Sequence, residues 1–215
     1  MQNSPQTIRP IDVPRPKGSR RIETYSPKLG RRLHFYNRAA FTLWLVIESD
    51  PLVRIFCERP GFLQVKEKCQ LSQFWVQYAE REEILMLAVD DTVTDLTPAP
   101  IGLIDTALPV RIVALAELAA SRTWTNNWER MMPLVTANRA LVSRALLDEI
   151  LVFVADATQL SRIEREFSTG DPILVRAAVF TLLHSGRLCA PALQTQALSL
   201  ITAFLPVEKF YDSPS

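Results

Sequence analysis

Two histidines, three cysteines and a few clustered carboxylates are the side chains here whose chemistry goes beyond packing and surface charge. His34 lies in Arg31-Arg32-Leu33-His34-Phe35-Tyr36, where it could meet a phosphate, but no acid and nucleophile stand near it to build a triad. His184 follows Leu182 and Leu183 and precedes Gly186, so a structural histidine at a helix C-terminus is expected. Cys57, Cys69 and Cys189 form no CxxC pair and have apolar neighbours, which predicts buried thiols in a reducing compartment. Glu80, Glu82 and Glu83 form one acidic cluster and Asp90, Asp91 and Asp95 another. Such groups could hold Mg²⁺ beside a phosphodiester, although acids gathered in turns are usually solvated. The chain has no HExxH, phosphate-binding glycine loop, GxSxG or zinc-ligand spacing.

Charge is distributed unevenly. Residues 1–38 hold nine Lys or Arg against Asp12 and Glu23, whereas the remainder holds 15 basic and 21 acidic side chains. A basic N-terminal segment on a mildly acidic body is either an arm that tracks phosphates or a solvated tail. Its candidate DNA contacts are Arg15, Lys17, Arg20, Arg21, Lys28, Arg31 and Arg32.

The elements that must position these residues follow from the pattern. The 215 residues are 48% hydrophobic and 22% charged, enough for one large domain or two small ones. No apolar run approaches the ~20 residues that span a bilayer, and no signal peptide opens the chain, so a cytoplasmic protein without membrane contact is expected. Residues 1–22, rich in proline and basic residues, predict an extended arm. Ser26 to Gly30 reads as a turn, Arg31 to Tyr36 as a short strand or a helix approach, and Arg38 to Glu48 as a helix apolar on all sides. Strands are expected at Leu52 to Cys57, Phe62 to Lys66, Ser72 to Ala79 and Ile84 to Val89, and a linker at Asp90 to Pro100. Helices are expected over Pro109 to Ser121, Asn126 to Met132, Leu134 to Ala155, Ser161 to Phe167 and Pro172 to His184, followed by strands within Arg187 to Leu193 and Leu198 to Pro206. Helices followed by a β-hairpin are ordered as in a winged helix. Its recognition helix, Pro172 to His184, offers only Arg176 to a DNA groove, which favours a structural or protein-docking role through its apolar face. Trp124 and Trp128 could anchor an interface, though packing is their default role.

Residues 31–90 resemble the N-terminal domain of TnsA-type proteins, the endonuclease subunit of heteromeric, Tn-seven-like transposases. The resemblance rests on Asn37-Arg38-Ala39-Ala40 opening a helix, Asp50-Pro51-Leu52-Val53 closing it and Arg59-Pro60 at a turn. It continues through Ser72-Gln73-Phe74-Trp75-Val76 and the apolar strand Ile84 to Val89. It implies an α/β (α+β) fold: a basic arm over 1–22, a restriction-endonuclease-like domain over 23–97 and a helical, winged-helix-like domain over 108–207. The family's helix glutamate falls on Ala40, its strand aspartate on Gln73 and its lysine within the Leu85–Val89 strand. Mg²⁺-dependent cleavage needs carboxylates to hold the metal and a lysine to orient water. A non-catalytic accessory subunit of a transposition complex is therefore expected, without a metal cofactor or small-molecule substrate, binding DNA, a transposase subunit and an AAA+ ATPase. The alternatives are an active endonuclease with a displaced centre at Glu48 and Glu80 to Glu83, and a DNA-binding regulator unrelated to transposition.

Overall fold

A computed structural model describes residues 8–65, 68–88, 99–101 and 108–208. The expected linker falls mostly outside the described residues, as do Asp90, Asp91 and Asp95. The chain is mixed α and β, and forms two compact units: residues 1–47 with 52–119, and residues 48–51 with 120–215. This division lies beyond the expected domain start at residue 108. No helix among the described residues is long and apolar enough to cross a membrane.

In the first unit, residues 8–20 carry no helix or strand and turn at Lys17-Gly18, and β1 (Ile22–Ser26) pairs with β2 (Arg31–Phe35) in an antiparallel hairpin. Ser26 accepts the amides of Leu29 and Gly30 at its turn, and Gly30 takes the left-handed backbone (φ 64°) that closes it. The Asn37 side chain accepts the Ala40 amide (2.6 Å) and so caps α1 (Arg38–Ser49). The helix buries Phe41, Leu43, Trp44, Leu45 and Ile47, as its unbroken apolar sequence requires. Then come β3 (Ile55–Glu58), β4 (Phe62–Val65), β5 (Lys68–Leu71), β6 (Phe74–Gln77), β7 (Glu82–Leu87), β8 (Ala99–Ile101), β9 (Val110–Val113) and α2 (Leu115–Ala120).

The main sheet has the order β3-β6-β7-β9; the first three are antiparallel, and β9 joins β7 in parallel. A smaller antiparallel sheet runs β5-β4-β8. Both faces of the main sheet are covered. Phe35, Phe41, Trp44, Phe56 and Phe74 form a chain of ring contacts, with centroids 5.4–6.1 Å apart. Cys57, Leu63, Trp75, Ile84 and Met86 make a second core against which Ile8, Leu108 and Val110 pack. Residues 110–113 are a strand rather than the start of the expected helix, because they pair with Ile84 to Leu87 along the whole of β9. Strand pairing overrides the helical spacing there, and the helix begins only at Leu115.

In the second unit, α3 (Arg122–Asn138) continues through Pro133, correcting the expected break. Met131, Met132 and Val135 are buried around the proline and hold the helix together; the break comes instead before Ser143, which caps α4 (Arg144–Phe153). Then follow β10 (Thr158–Gln159), α5 (Leu160–Phe167), α6 (Ile173–His184), β11 (Leu188–Cys189), a 3₁₀ turn (Pro191–Gln194) and β12 (Ala203–Pro206). The three short strands form an antiparallel sheet of order β10-β12-β11. Helix α6 packs against α3, α4, α5 and β11 and buries Val175, Ala177, Ala178, Val179, Phe180, Leu182 and Leu183. The expected exposed apolar face on this helix is thereby corrected: most of it is core. Its one basic residue before the C-terminus, Arg176, makes a two-point bond to Glu164 (2.5 and 3.2 Å).

Candidate functional site

The basic residues of the first unit divide by their surroundings. Arg31 sits on the inner face of the hairpin, and its guanidinium makes two hydrogen bonds (2.7 and 2.5 Å) to Glu58, a carboxylate only 2% exposed. That hydrogen bonding, opposed by burial, raises the Arg31 pKa further above its ordinary value. Lys28 donates to the Val53 carbonyl (2.8 Å). Both cations are engaged by their own unit. Arg15, Lys17, Arg20, Arg21 and Arg32 are exposed. Arg15 folds onto the Ser19 carbonyl (2.9 and 2.5 Å) and Arg21 pairs with Glu23 (2.7 Å).

The arm is fastened by Arg59, which the sequence marks only as a turn residue beside Pro60. Arg59 has φ 49°, in the left-handed region that costs a non-glycine residue about 1 kcal/mol or more. Four hydrogen bonds hold it there. Its amide donates to the Gln73 carbonyl (2.8 Å), its carbonyl accepts the Ile11 amide (2.9 Å), and its guanidinium donates to the carbonyls of Ile11 (3.1 Å) and His34 (3.0 Å). Beyond Ile11, Val13 and Pro16 line a cavity of about 160 Å³.

That cavity is also lined by Ala40 of α1 and Gln73 at the start of β6. The Gln73 side-chain oxygen accepts the Leu87 amide (2.7 Å), and its backbone amide donates to the Leu85 carbonyl (3.0 Å). Ala40 and Gln73 thus line one cavity, and Gln73 bonds to the backbone of Leu85 and Leu87; Val89 lies outside the described residues. The carboxylate lining this cavity, Glu58, has both oxygens taken up by Arg31, and Ala40 and Gln73 do not fit a magnesium ion. A methyl group is no ligand, an amide brings no charge, and its oxygen is already bonded.

The other carboxylates are engaged separately. Glu82 accepts from Trp75 (3.1 Å) and Gln77 (2.7 Å), and buried Glu83 accepts from Tyr78 (3.0 Å). In the second unit, Glu48 is fully buried and meets His184 Nε2 at 3.0 Å, and the His184 ring packs edge-on to Trp128 (5.9 Å). His184 thus sits at a helix end as a packing residue. Trp128 is fully buried and Trp124 donates to Ser49 (2.9 Å), so both rings serve packing. Among the described residues no group of three or more His, Cys, Asp or Glu is arranged to hold a metal.

Of the cysteines, burial pushes the Cys57 thiol up to about 12 and also raises that of Cys189. Cys69 is exposed, against the expectation of three buried thiols, because it lies on β5 of the smaller sheet. Glu58 and Arg59 had one signal in the sequence, the Glu-Arg-Pro-Gly turn. Nothing in it shows that the arm returns to that turn. A scan against protein-family models finds no match to this chain, and a search of curated proteins finds none either.

Proposed function

We propose that the chain is a DNA-binding, TnsA-like accessory subunit of a transposition complex that keeps a nuclease-like scaffold without its chemistry. The observation that carries this reading is the convergence of Ala40 and Gln73 on one cavity, with Gln73 bonded to the strand that would supply a lysine. A helix, an antiparallel three-strand meander and a fourth, parallel strand support a restriction-endonuclease-like core for the first unit. The order α4, β10, α5, α6, β11, β12 with sheet order β10-β12-β11 supports a winged helix for the second. Its recognition helix is packed by α3 and its arginine is paired with Glu164, so DNA contact falls to the exposed cations of the arm and hairpin. The winged-helix unit is left for the transposase and AAA+ partners.

The test is cleavage of supercoiled and linear DNA with Mg²⁺ or Mn²⁺. The natural chain should neither nick nor cut. Cleavage that disappears in Glu48→Gln or Glu83→Gln would sink the non-catalytic reading. The double variant Ala40→Glu, Gln73→Asp places two carboxylates on the shared cavity and should gain Mn²⁺ binding by calorimetry. If the double variant folds and takes no more metal than the natural chain, the alignment with the family is wrong.

A further inference from the structure

The antiparallel register of the hairpin sorts its residues into two faces. Ser26 opposite Arg31, and Thr24 opposite Leu33, point inward, and Leu33, Phe35 and Ser26 are buried. The other face carries Glu23 opposite His34 and Tyr25 opposite Arg32, with Arg21 and Tyr36 continuing it at either strand's end. His34 and Tyr36 are partly exposed and meet edge-to-face, with ring centroids 5.3 Å apart. Arg32 is exposed beside them. The arm passes the same place, since Tyr36 lines the cavity together with Val13 and Pro16, between which the exposed Arg15 lies.

We propose that this outer face of the β1–β2 hairpin is a stacking platform for the unpaired bases of single-stranded DNA, with Arg32 and the fastened arm holding its phosphates. The proposal rests on the DNA-binding reading above and adds the form of DNA. Aromatic rings interleaved with cations suit a single strand, because every base offers a π-face once it is unpaired. A duplex hides those faces in its stack and offers only phosphates and groove edges. Burial, together with the nearby Arg59 and Arg21 cations, lowers the His34 pKa, which keeps its ring neutral at physiological pH. Glu23 is the hairpin's own acid on this face and Arg21 pairs with it at 2.7 Å, while the arm brings exposed Asp12 within electrostatic reach of His34. Arg59 is the positioning residue. It ties the arm at Ile11 and the strand at the His34 carbonyl, so cations and rings are held together before a ligand arrives.

The experiment uses the full chain and a labelled oligothymidylate of about 15 nucleotides, a length within the site sizes of single-strand binders, against a duplex of equal length at one fixed salt concentration. The single strand should bind more tightly than the duplex. His34→Ala with Tyr36→Ala should weaken single-strand binding about tenfold or more while leaving duplex binding nearly unchanged, and Tyr36→Phe should retain the preference. Because Tyr36 also lines the cavity, a second measurement uses the natural chain: an oligonucleotide carrying 5-iodouracil should photo-crosslink to His34 or Tyr36. Equal affinity for the two DNAs, with crosslinks confined to the arm, would overturn the platform and leave the DNA-binding reading standing. Binding of neither DNA would overturn both.

Discussion

At the scale of single residues, the thiols separate cleanly by environment. Cys57 is 3% exposed between β-strands and donates weakly to the Glu58 carbonyl (3.5 Å), whereas Cys69 is exposed. Burial in low dielectric disfavours the thiolate, which is why the Cys57 pKa rises from its ordinary 9.0 to about 12. Iodoacetamide at pH 8 should therefore modify Cys69 readily and Cys57 only in denaturant, as peptide mass spectrometry would show. The same shift sets a sign for stability. A group that binds its proton more tightly when folded contributes fully below about pH 9, and that contribution is lost as pH rises from there through about 12. Cys57→Ala should flatten the fall in stability across that alkaline window. An equal fall in both proteins would show that Cys57 is not its source. The sequence made Cys57 legible through its apolar neighbours. It could not distinguish Cys69, because exposure there depends on which strand of the smaller sheet carries it.

At the scale of elements, two helices, α1 and α6, form where the sequence says, whereas α3 and the strand pairings depend on contacts the sequence does not show. Arg38 to Ser49 and Ile173 to His184 were readable because apolar continuity and a following Asp-Pro or Ser-Gly are local signals. The strand at Val110–Val113 was not, because its partner is Ile84 to Leu87 and that pairing is non-local. Nor was the continuity of α3 through Pro133, which depends on burial of the residues around it. The end of α6 gives a sharp test. Gly186 has φ 69°, and a Cβ placed on it would lie 2.6 Å from the Pro51 Cβ within the same unit. Gly186→Ala should therefore lose about 1–2 kcal/mol from backbone strain, with the overlap in addition. Trp128→Phe makes the contrast. The Trp128 indole N–H is buried without a hydrogen-bond partner, so its removal recovers part of the roughly 1–3 kcal/mol that such a donor costs, against the smaller cavity it leaves. Urea denaturation should show Gly186→Ala clearly the more damaging of the two; the opposite order would mean that the turn after α6 accommodates a side chain.

At the scale of the whole molecule, charge and anchoring bear on the proposed binding of DNA. The first 38 residues carry the positive charge and the rest of the chain is net negative, so a long-range attraction to phosphate is concentrated at one end of the sequence. The sequence showed that imbalance but left open whether the arm is a solvated tail. The Ile11–Arg59 bonds, and Ile8 packed on the core of Cys57, Trp75 and Ile84, show an arm tied to its unit. Deleting it would remove packing as well as charge, and a loss of binding would then have two causes. Replacing Arg15, Lys17 and Arg20 by Gln removes charge and, at Arg15, the exposed contact to the Ser19 carbonyl, while the anchors at Ile8 and Ile11 stay. If each cation neutralises one phosphate of a duplex, each adds roughly 0.9 to the slope of log affinity against log salt. The triple variant should therefore flatten that slope by about 2.7 units at full contact and weaken binding most at low salt. Unfolding in urea should be nearly unchanged, because exposed charges contribute little to stability. A salt slope equal to that of the natural chain would assign DNA binding to other residues and leave the arm as a structural strap over the cavity of Ala40 and Gln73.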